Sequence, residues 1–231
     1  MTKKTAGTAR ERRTLRQEAA VAAAFRLAER DGAAGLTMRR LGQELDVDAT
    51  VLYRLFRDKD ELLLAVCERT IELSLEQMQQ MERTPEEEAW QDTLRRFAAS
   101  TWQIQTRYPA ITALTFARTT GGPAEQRMVE LLLAAFARSG AEPERAVLLY
   151  RTFVDTALGL CAHAATLDQL GPAVQEKDAT TWTRIYARQS EADYPVTRAH
   201  VEALAAVDPK ALYDTAVEAL IAATERAVAA G

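Results

Sequence analysis

Residues 36–59 read LTMRRLGQELDVDATVLYRLFRDK, and this segment decides the fold. Thr37 can accept hydrogen bonds from the first turn of a following helix, so it is a predicted N-cap. Apolar residues then follow at helical spacing: Met38, Leu41 and Leu45. Asp46 is expected in a left-handed turn, because Asp tolerates that backbone better than most residues do, and Asp48 is expected to cap the next helix. The segment therefore predicts two short helices joined by a tight turn.

The second of these helices is expected to bury one face and expose the other. Its apolar face consists of Leu52, Leu55 and Phe56. That spacing places Ala49, Thr50, Tyr53 and Arg54 nearer the outer surface, although Tyr53 could instead be a core aromatic. Gly42 costs roughly 1 kcal/mol relative to Ala inside a helix, so it indicates that the second helix approaches closely there. A slim exposed helix of this kind suits the DNA major groove.

A third helix is predicted before this pair. Residues 14–31 carry an apolar stripe, and Asp31-Gly32 is expected to end the helix. The stripe consists of Val21, Ala24, Phe25 and Ala28. The result is a unit of three helices that can lean on a long helix predicted to run from residue 58 to about 82.

The charge distribution differs along the chain. The whole sequence has a net charge of -4, but residues 1–66 hold 13 Lys and Arg against 10 Asp and Glu. The negative net charge of the whole chain argues against indiscriminate nucleic-acid binding. The excess of basic residues within 1–66 lies in the part of the chain that holds the three-helix unit. Residues 1–15 are predicted to be a basic, disordered arm. Such an arm either contacts DNA phosphates or the minor groove, or serves only as a solubilising tail.

The order of these features resembles the DNA-binding domain of the TetR/AcrR family of transcriptional regulators, over residues 16–66. The resemblance implies that Thr37 and Arg39 contact phosphates, that Ala49, Thr50 and Tyr53 face the groove, and that Lys59 contacts phosphate at the start of the long helix. The full candidate DNA-binding set is Thr37, Arg39, Arg40, Asp48, Ala49, Thr50, Tyr53, Arg54 and Lys59. The arginines and the lysine could also be ordinary solvated residues. The chain departs from the family pattern at Asp46, where Gly is usual, and at Leu55, where His is usual.

Residues 67–231 are predicted to form a helical regulatory and dimerisation domain, so the fold class is all-α. Beyond the long helix, the predicted segments are 86–107, 109–117, 123–139, 143–168, 179–190, 196–206 and 209–229, with no strand pattern. The helices at 143–168 and 209–229 are apolar on several sides, which favours a partner subunit. This part resembles the regulatory domain of the tetracycline repressor class, which implies a homodimer. The predicted interface residues are Phe153, Gly159, Val217, Leu220 and Ile221.

The same resemblance implies a cavity for a small-molecule effector of unknown identity. The candidate residues mix aromatic and polar groups: Trp102, Gln105, Phe116, Arg118, Tyr150, Asp155 and His163. Each of the aromatic residues could equally be packed core, and His163 could be a core or interface histidine. The segment 109–117 contains no histidine, which argues against a magnesium-tetracycline chelate as the ligand.

These observations predict a ligand-responsive transcriptional regulator, a repressor that binds a palindromic operator in double-stranded DNA as a homodimer and is released by its effector. The alternative is a helix-turn-helix protein without a small-molecule effector, controlled by a protein partner. An enzyme is disfavoured, because the sequence has two histidines and no phosphate loop or catalytic grouping. No cofactor or metal is predicted, and Cys67 and Cys161 are expected to be free and buried. No apolar run is long enough to span a membrane, so a cytoplasmic location is expected.

Overall fold

The computed structural model describes residues 8–81 and 89–229, and within these ranges it contains helices and no strand. The helices are α1 (Ala9–Gly35), α2 (Met38–Glu44), α3 (Ala49–Tyr53), α4 (Lys59–Gln80), α5 (Trp90–Arg107), α6 (Pro109–Thr115), α7 (Pro123–Arg138), α8 (Pro143–Asp168), α9 (Pro172–Arg184), α10 (Pro195–Ala205) and α11 (Pro209–Ala229), with a 3₁₀ helix at Tyr186–Arg188. The all-α prediction is confirmed. No described helix is both long and apolar enough to cross a membrane.

Two sequence predictions of element boundaries are wrong. The sequence predicts a helical segment at 179–190, but α9 begins at Pro172, because proline is well suited to a first helical position, and ends at Arg184. Residues 8–15 were expected to be disordered, but α1 starts at Ala9. The Thr8 side chain caps this helix in a reciprocal capping box with Glu11. The rest of the predicted arm, residues 1–7, lies outside the described residues.

The core formed by α1, α2 and α3 is completed by a helix from further along the chain. Phe25, Leu41 and Leu52 belong to one buried cluster that also includes Ile111 of α6, which is 1% exposed. Tyr108, at the start of α6, places its ring 4.8 Å from that of Phe25 in an edge-to-face arrangement. The packing therefore continues past residue 66 into the second part of the chain.

A second core lies among α4, α5, α7, α8 and α11. Phe153 of α8 sits at its centre, with its ring 6.1 Å from that of Phe97 and 6.0 Å from that of Phe136. Tyr213 of α11 is buried and donates a hydrogen bond to the Ala98 carbonyl at 3.0 Å. This network attaches α8 and α11 to their own subunit.

Three of the predicted dimer-interface residues are wrong, because they are buried in this second core. Phe153, Val217 and Ile221 are 1%, 4% and 1% exposed within the single chain, so they have no surface left to offer a partner. Gly159 is exposed and Leu220 is half-buried at the edge of the core. Beyond α8, the helices α9 and α10 pack mainly on one another and on the 3₁₀ helix between them.

Gly42→Ala should lower the free energy of unfolding by about 1–3 kcal/mol, because overpacking a tight contact forces neighbouring atoms to shift. The added methyl group would lie 2.8 Å from the Val47 carbonyl oxygen. Urea denaturation measures the effect. Gln43→Ala, at an exposed position of the same helix, is the control and should change stability by less than about 0.5 kcal/mol. Equal stability of the two variants would contradict close packing at Gly42.

Candidate nucleic-acid interface and internal cavity

The turn between α2 and α3 has the local geometry that the sequence predicts. Thr37 accepts a hydrogen bond from the Arg40 backbone N–H at 3.2 Å, and Asp48 accepts one from the Thr50 N–H at 2.8 Å. Asp46 has φ of 53°, in the left-handed region. Hydrogen bonding from the Thr50 side chain, and then from its backbone N–H, lowers the pKa of the Asp48 carboxyl. Both caps and the turn are therefore confirmed.

α3 presents a narrow polar face to solvent. Tyr53 is 53% exposed, and Thr50 and Arg54 are exposed beside it, whereas Ala49 is half-buried at the start of the helix. The core interpretation of Tyr53 is therefore wrong. Leu52, Leu55 and Phe56 are buried as predicted, but α3 ends at Tyr53, so the last two lie in the following turn.

The basic side chains around this face differ in their partners. Arg39 and Lys59 are exposed, and neither forms an ion pair with another described residue. Arg40 is paired with Asp31 at 3.2 Å, which reduces the charge it can offer to a phosphate. Asp58 and Asp60 flank Lys59, but both are engaged by other groups. Asp58 caps α4 and pairs with Arg57, and Asp60 pairs with Arg118. The cationic group of Lys59 is thus left available.

The far end of the recognition segment is held by α1. The Leu55 carbonyl oxygen accepts a hydrogen bond from Gln17 Nε2 at 3.1 Å and a longer one from Arg13 at 3.4 Å. These bonds satisfy a backbone group just beyond the last turn of α3. Side chains of the first turns of α1 therefore help to position the recognition helix.

A cavity of about 310 Å³ lies among α4, α5, α6, α7 and α8. That volume is at the lower end of the range of small-molecule sites. Five of the seven predicted ligand-binding residues line it: Gln105, Phe116, Arg118, Tyr150 and Asp155. Trp102 and His163 do not belong to its lining. The Trp102 ring instead packs 4.8 Å from the ring of Tyr213, and His163 is exposed on the outside of α8.

The cavity has one polar and one apolar wall, which the candidate list did not anticipate. The polar wall comes mainly from α4 and α5, where Ile71 and Phe97 also line the cavity, and its polar residues are Thr70, Ser74, Thr101 and Gln105, with Thr115 of α6 beside them. The apolar wall comes from α7 and α8 and includes Met128, Leu132, Val154 and Leu158. The sequence held a signal for the polar wall: polar residues four apart interrupt the apolar stripe of each helix.

Charged residues of the cavity lie at its mouth and are paired. Arg151 binds Asp155 at 2.9 Å. Arg118 donates two hydrogen bonds to the Asp60 carboxylate, at 2.7 and 2.9 Å, which lowers the pKa of that carboxyl. Among the residues that the structure describes, no cluster of His, Cys, Asp and Glu is arranged to hold a metal ion.

The geometry defines a class: a helix-turn-helix protein whose second, helical part encloses a cavity with the volume of a small-molecule site. Residues 20–66 match the family model described as bacterial regulatory proteins, tetR family. Residues 82–227 match that described as tetracyclin repressor-like, C-terminal domain. The chain belongs to the TetR family of transcriptional regulators, as its sequence predicts.

Two curated relatives carry regulator names. A helix-turn-helix transcriptional regulator of Saccharopolyspora erythraea is 32% identical over 128 residues, which cover 54% of this chain and 51% of that protein. A helix-turn-helix transcriptional repressor of Mycobacterium tuberculosis is 30% identical over 147 residues, which cover 61% and 54%. The match therefore spans about half the length of these relatives.

Solved structures with low sequence identity share the fold. Apo ActR from Streptomyces coelicolor has a TM-score of 0.78 and 17% identity, covering 92% of this chain and 96% of ActR. ActR in complex with actinorhodin has a TM-score of 0.78 and 18% identity, covering 92% and 97%. A TetR regulator from the same organism has a TM-score of 0.72 and 21% identity, covering 92% and 98%.

Cys67 provides a chemical test of the cavity, because its buried thiol lies in the wall. Burial raises its pKa to about 11, so at pH 8 little thiolate is present. In the Cys161→Ala variant, which retains Cys67, iodoacetamide should react roughly 100-fold more slowly than with an exposed cysteine. The rate should rise about tenfold per pH unit up to pH 10, as the thiolate fraction rises.

The Cys67→Ser variant is the control, since it retains Cys161, which is fully buried away from the cavity. Burial raises the pKa of Cys161 to about 12, so this variant should react more slowly still. A Cys67 thiol that reacts at pH 8 like a free cysteine would contradict its position in the wall.

Proposed function

We propose that this TetR-family protein is a homodimeric, ligand-responsive repressor that acts in the cytoplasm, binds a palindromic operator and is released by a small-molecule effector. The observation that carries the proposal is the position of α6. One end of this helix packs into the helix-turn-helix core through Ala110 and Ile111, and the other end lines the cavity through Thr115. An occupant of the cavity therefore contacts the helix that completes the DNA-binding core.

The exposed face of α3 supports the assignment of DNA contacts. Ala49, Thr50 and Tyr53 would read base edges in the major groove, because they form the exposed and half-exposed surface of that helix. The basic and polar residues around it would contact phosphates: Thr37, Arg39, Arg40, Arg54 and Lys59. Asp48 would act by capping α3, since its carboxylate is already bonded to the Thr50 N–H.

A second connection joins the cavity to the start of α4. Arg118 lines the cavity mouth and binds Asp60, the residue after Lys59. Two turns further along α4, Glu68 accepts hydrogen bonds from the Thr120 hydroxyl at 2.7 Å and from the Ala124 backbone N–H. The loop between α6 and α7 is thus fastened to α4 at two points. A ligand that displaces this loop would pull on the helix that carries Lys59.

The outer faces of α8 and α11 support a homodimer. Leu148 and Leu212 are 60% and 55% exposed, although large apolar residues are seldom left in solvent as contiguous groups. Gly159 and Leu220 lie on these helices and remain the proposed interface residues. A two-fold dimer would set two recognition helices about one helical turn of DNA apart, which requires a palindromic operator.

Selection of bound duplexes from a random pool tests the proposal and should enrich a symmetric motif.

Tyr53→Ala should abolish enrichment while the melting temperature stays close to that of the unmodified protein, because the ring is largely exposed. Lys59→Ala should weaken binding to all sequences and reduce the slope of the salt dependence by about one unit. Lys177→Ala, exposed on α9, is the matched control and should change neither. Absence of any symmetric motif would overturn the proposal.

Arg118→Gln should uncouple ligand binding from operator binding, because it removes the charge that joins the cavity mouth to Asp60. Coupling is measured as the ratio of ligand affinities with and without operator, for a compound that raises the melting temperature of the protein. We expect the ratio to fall toward one in this variant. Arg69→Gln is the control, since Arg69 is also on α4 but pairs within that helix with Glu72 and Glu76.

An unchanged ratio in Arg118→Gln would place the coupling in α6 alone. If no compound raises the melting temperature while the operator is still bound, control by a protein partner becomes the better explanation.

A further inference from the structure

The polar wall of the cavity contains polar groups that open into the cavity and have no hydrogen-bond partner among the described residues. Ser74, Thr101 and Gln105 are 4%, 2% and 7% exposed. The hydroxyl groups of Ser74 and Thr101 form no hydrogen bond to any described residue. Gln105 Oε1 accepts from the Thr112 hydroxyl at 2.6 Å, but its amide nitrogen has no acceptor among the described residues. These groups can hydrogen-bond to whatever fills the cavity, so a ligand with matching polar groups would bind better than a purely apolar one, which would leave them unpaired.

Two further hydroxyl groups beside them can only accept. Thr70 and Thr115 donate to carbonyl oxygens of their own helices, at 3.0 Å to Val66 and 2.9 Å to Ile111. Each oxygen keeps lone pairs that can accept from a ligand. The wall thus offers a donating amide, two hydroxyls that both donate and accept, and two acceptors. Hydroxyl and carbonyl oxygens of a ligand would satisfy this set.

These groups lie in two short rows, one on each of two neighbouring helices. Thr70 and Ser74 are four residues apart on α4, and Thr101 and Gln105 are four apart on α5, so each pair is separated by about 6 Å along its helix. The two helices lie side by side in the cavity wall. The polar groups therefore form a strip that matches one edge of a ligand.

The rest of the cavity disfavours a ligand that places a charge deep inside it. Apart from Tyr150, the uncharged lining residues of α7 and α8 are apolar, and the charged lining residues are Arg118, Glu125, Arg151 and Asp155 at the mouth. The two arginines are bound to Asp60 and Asp155. Glu125 accepts from the backbone N–H groups of Thr120 and Gly121. A charge placed deeper would lack a counter-charge.

We propose that the effector is an uncharged compound with two or more hydroxyl or carbonyl oxygens along one edge and an apolar opposite face, selected by Ser74, Thr101 and Gln105. This inference rests on the proposed function, because it specifies the ligand of the same cavity. The oxygens lie against α4 and α5, and the apolar face lies against α7 and α8.

Three probes on one ring system test the inference by calorimetry with the full-length protein: naphthalene, 2,7-dihydroxynaphthalene and 2,7-naphthalenedicarboxylate. The diol has two oxygens on one side of the rings and is uncharged at pH 7. It should bind at least about tenfold more tightly than naphthalene, since two hydrogen bonds of ordinary strength supply that difference. The dicarboxylate should bind more weakly than the diol.

Variants then locate the contacts. Thr101→Val and Ser74→Ala should each weaken diol binding about fivefold, the effect of one hydrogen bond, and leave naphthalene binding the same. Neither should lower the melting temperature of the free protein, because neither hydroxyl has a partner to lose. Thr224→Val is the matched control. It is buried in α11 outside the cavity, and diol binding should not change.

Equal binding of naphthalene and the diol, tighter binding of the dicarboxylate, or no binding of any probe up to its solubility limit would each overturn the inference. So would a Thr101→Val protein that binds the diol normally or melts well below the control. These results are distinguishable from failure of the proposed function, since operator selection and release by other compounds do not depend on them.

Discussion

The packing of Ile111 into the helix-turn-helix core is the interaction on which the rest of the structure depends. The three N-terminal helices do not close their own core, and α6 supplies the missing apolar surface. The position of α6 is therefore fixed at one end by the DNA-binding part of the chain. Its other end must form a wall of the cavity, because the helix is only seven residues long. The N-terminal core and the cavity therefore share α6 as a common structural element.

The charges around α3 also depend on local contacts. The chain is acidic overall, yet a cationic surface remains around α3, because nearby carboxylates are engaged in local tasks. Asp48 and Asp58 cap helices, and Asp60 binds Arg118. Each carboxylate that serves as a cap or bridge has less effect on a phosphate backbone than a free one would have. The exposed ammonium group of Lys59 and the guanidinium of Arg39 can then act on DNA.

Local signals in the sequence were sufficient to predict the helices of the helix-turn-helix domain and the helices α8 and α11. Caps such as Thr37 and the left-handed Asp46 depend only on neighbouring residues, so they could be predicted. The inward face of α8 could not, because that helix is apolar on several sides. Phe153 was therefore assigned to a partner although it fills its own core. The cavity depends on contacts between distant helices, which is why Trp102 was chosen and its neighbour Thr101 was missed.

The bonds from Gln17 and Arg13 to the Leu55 carbonyl have a practical consequence for handling the protein. They make the first turns of α1 part of the support of the recognition helix, although these turns lie well before α2 and α3 in the sequence. A purification tag fused close to residue 8, or a truncation designed to remove a supposed tail, would disturb that support. Tags are better placed at the other end of the chain, and truncated forms that bind DNA weakly need not indicate a defective recognition surface.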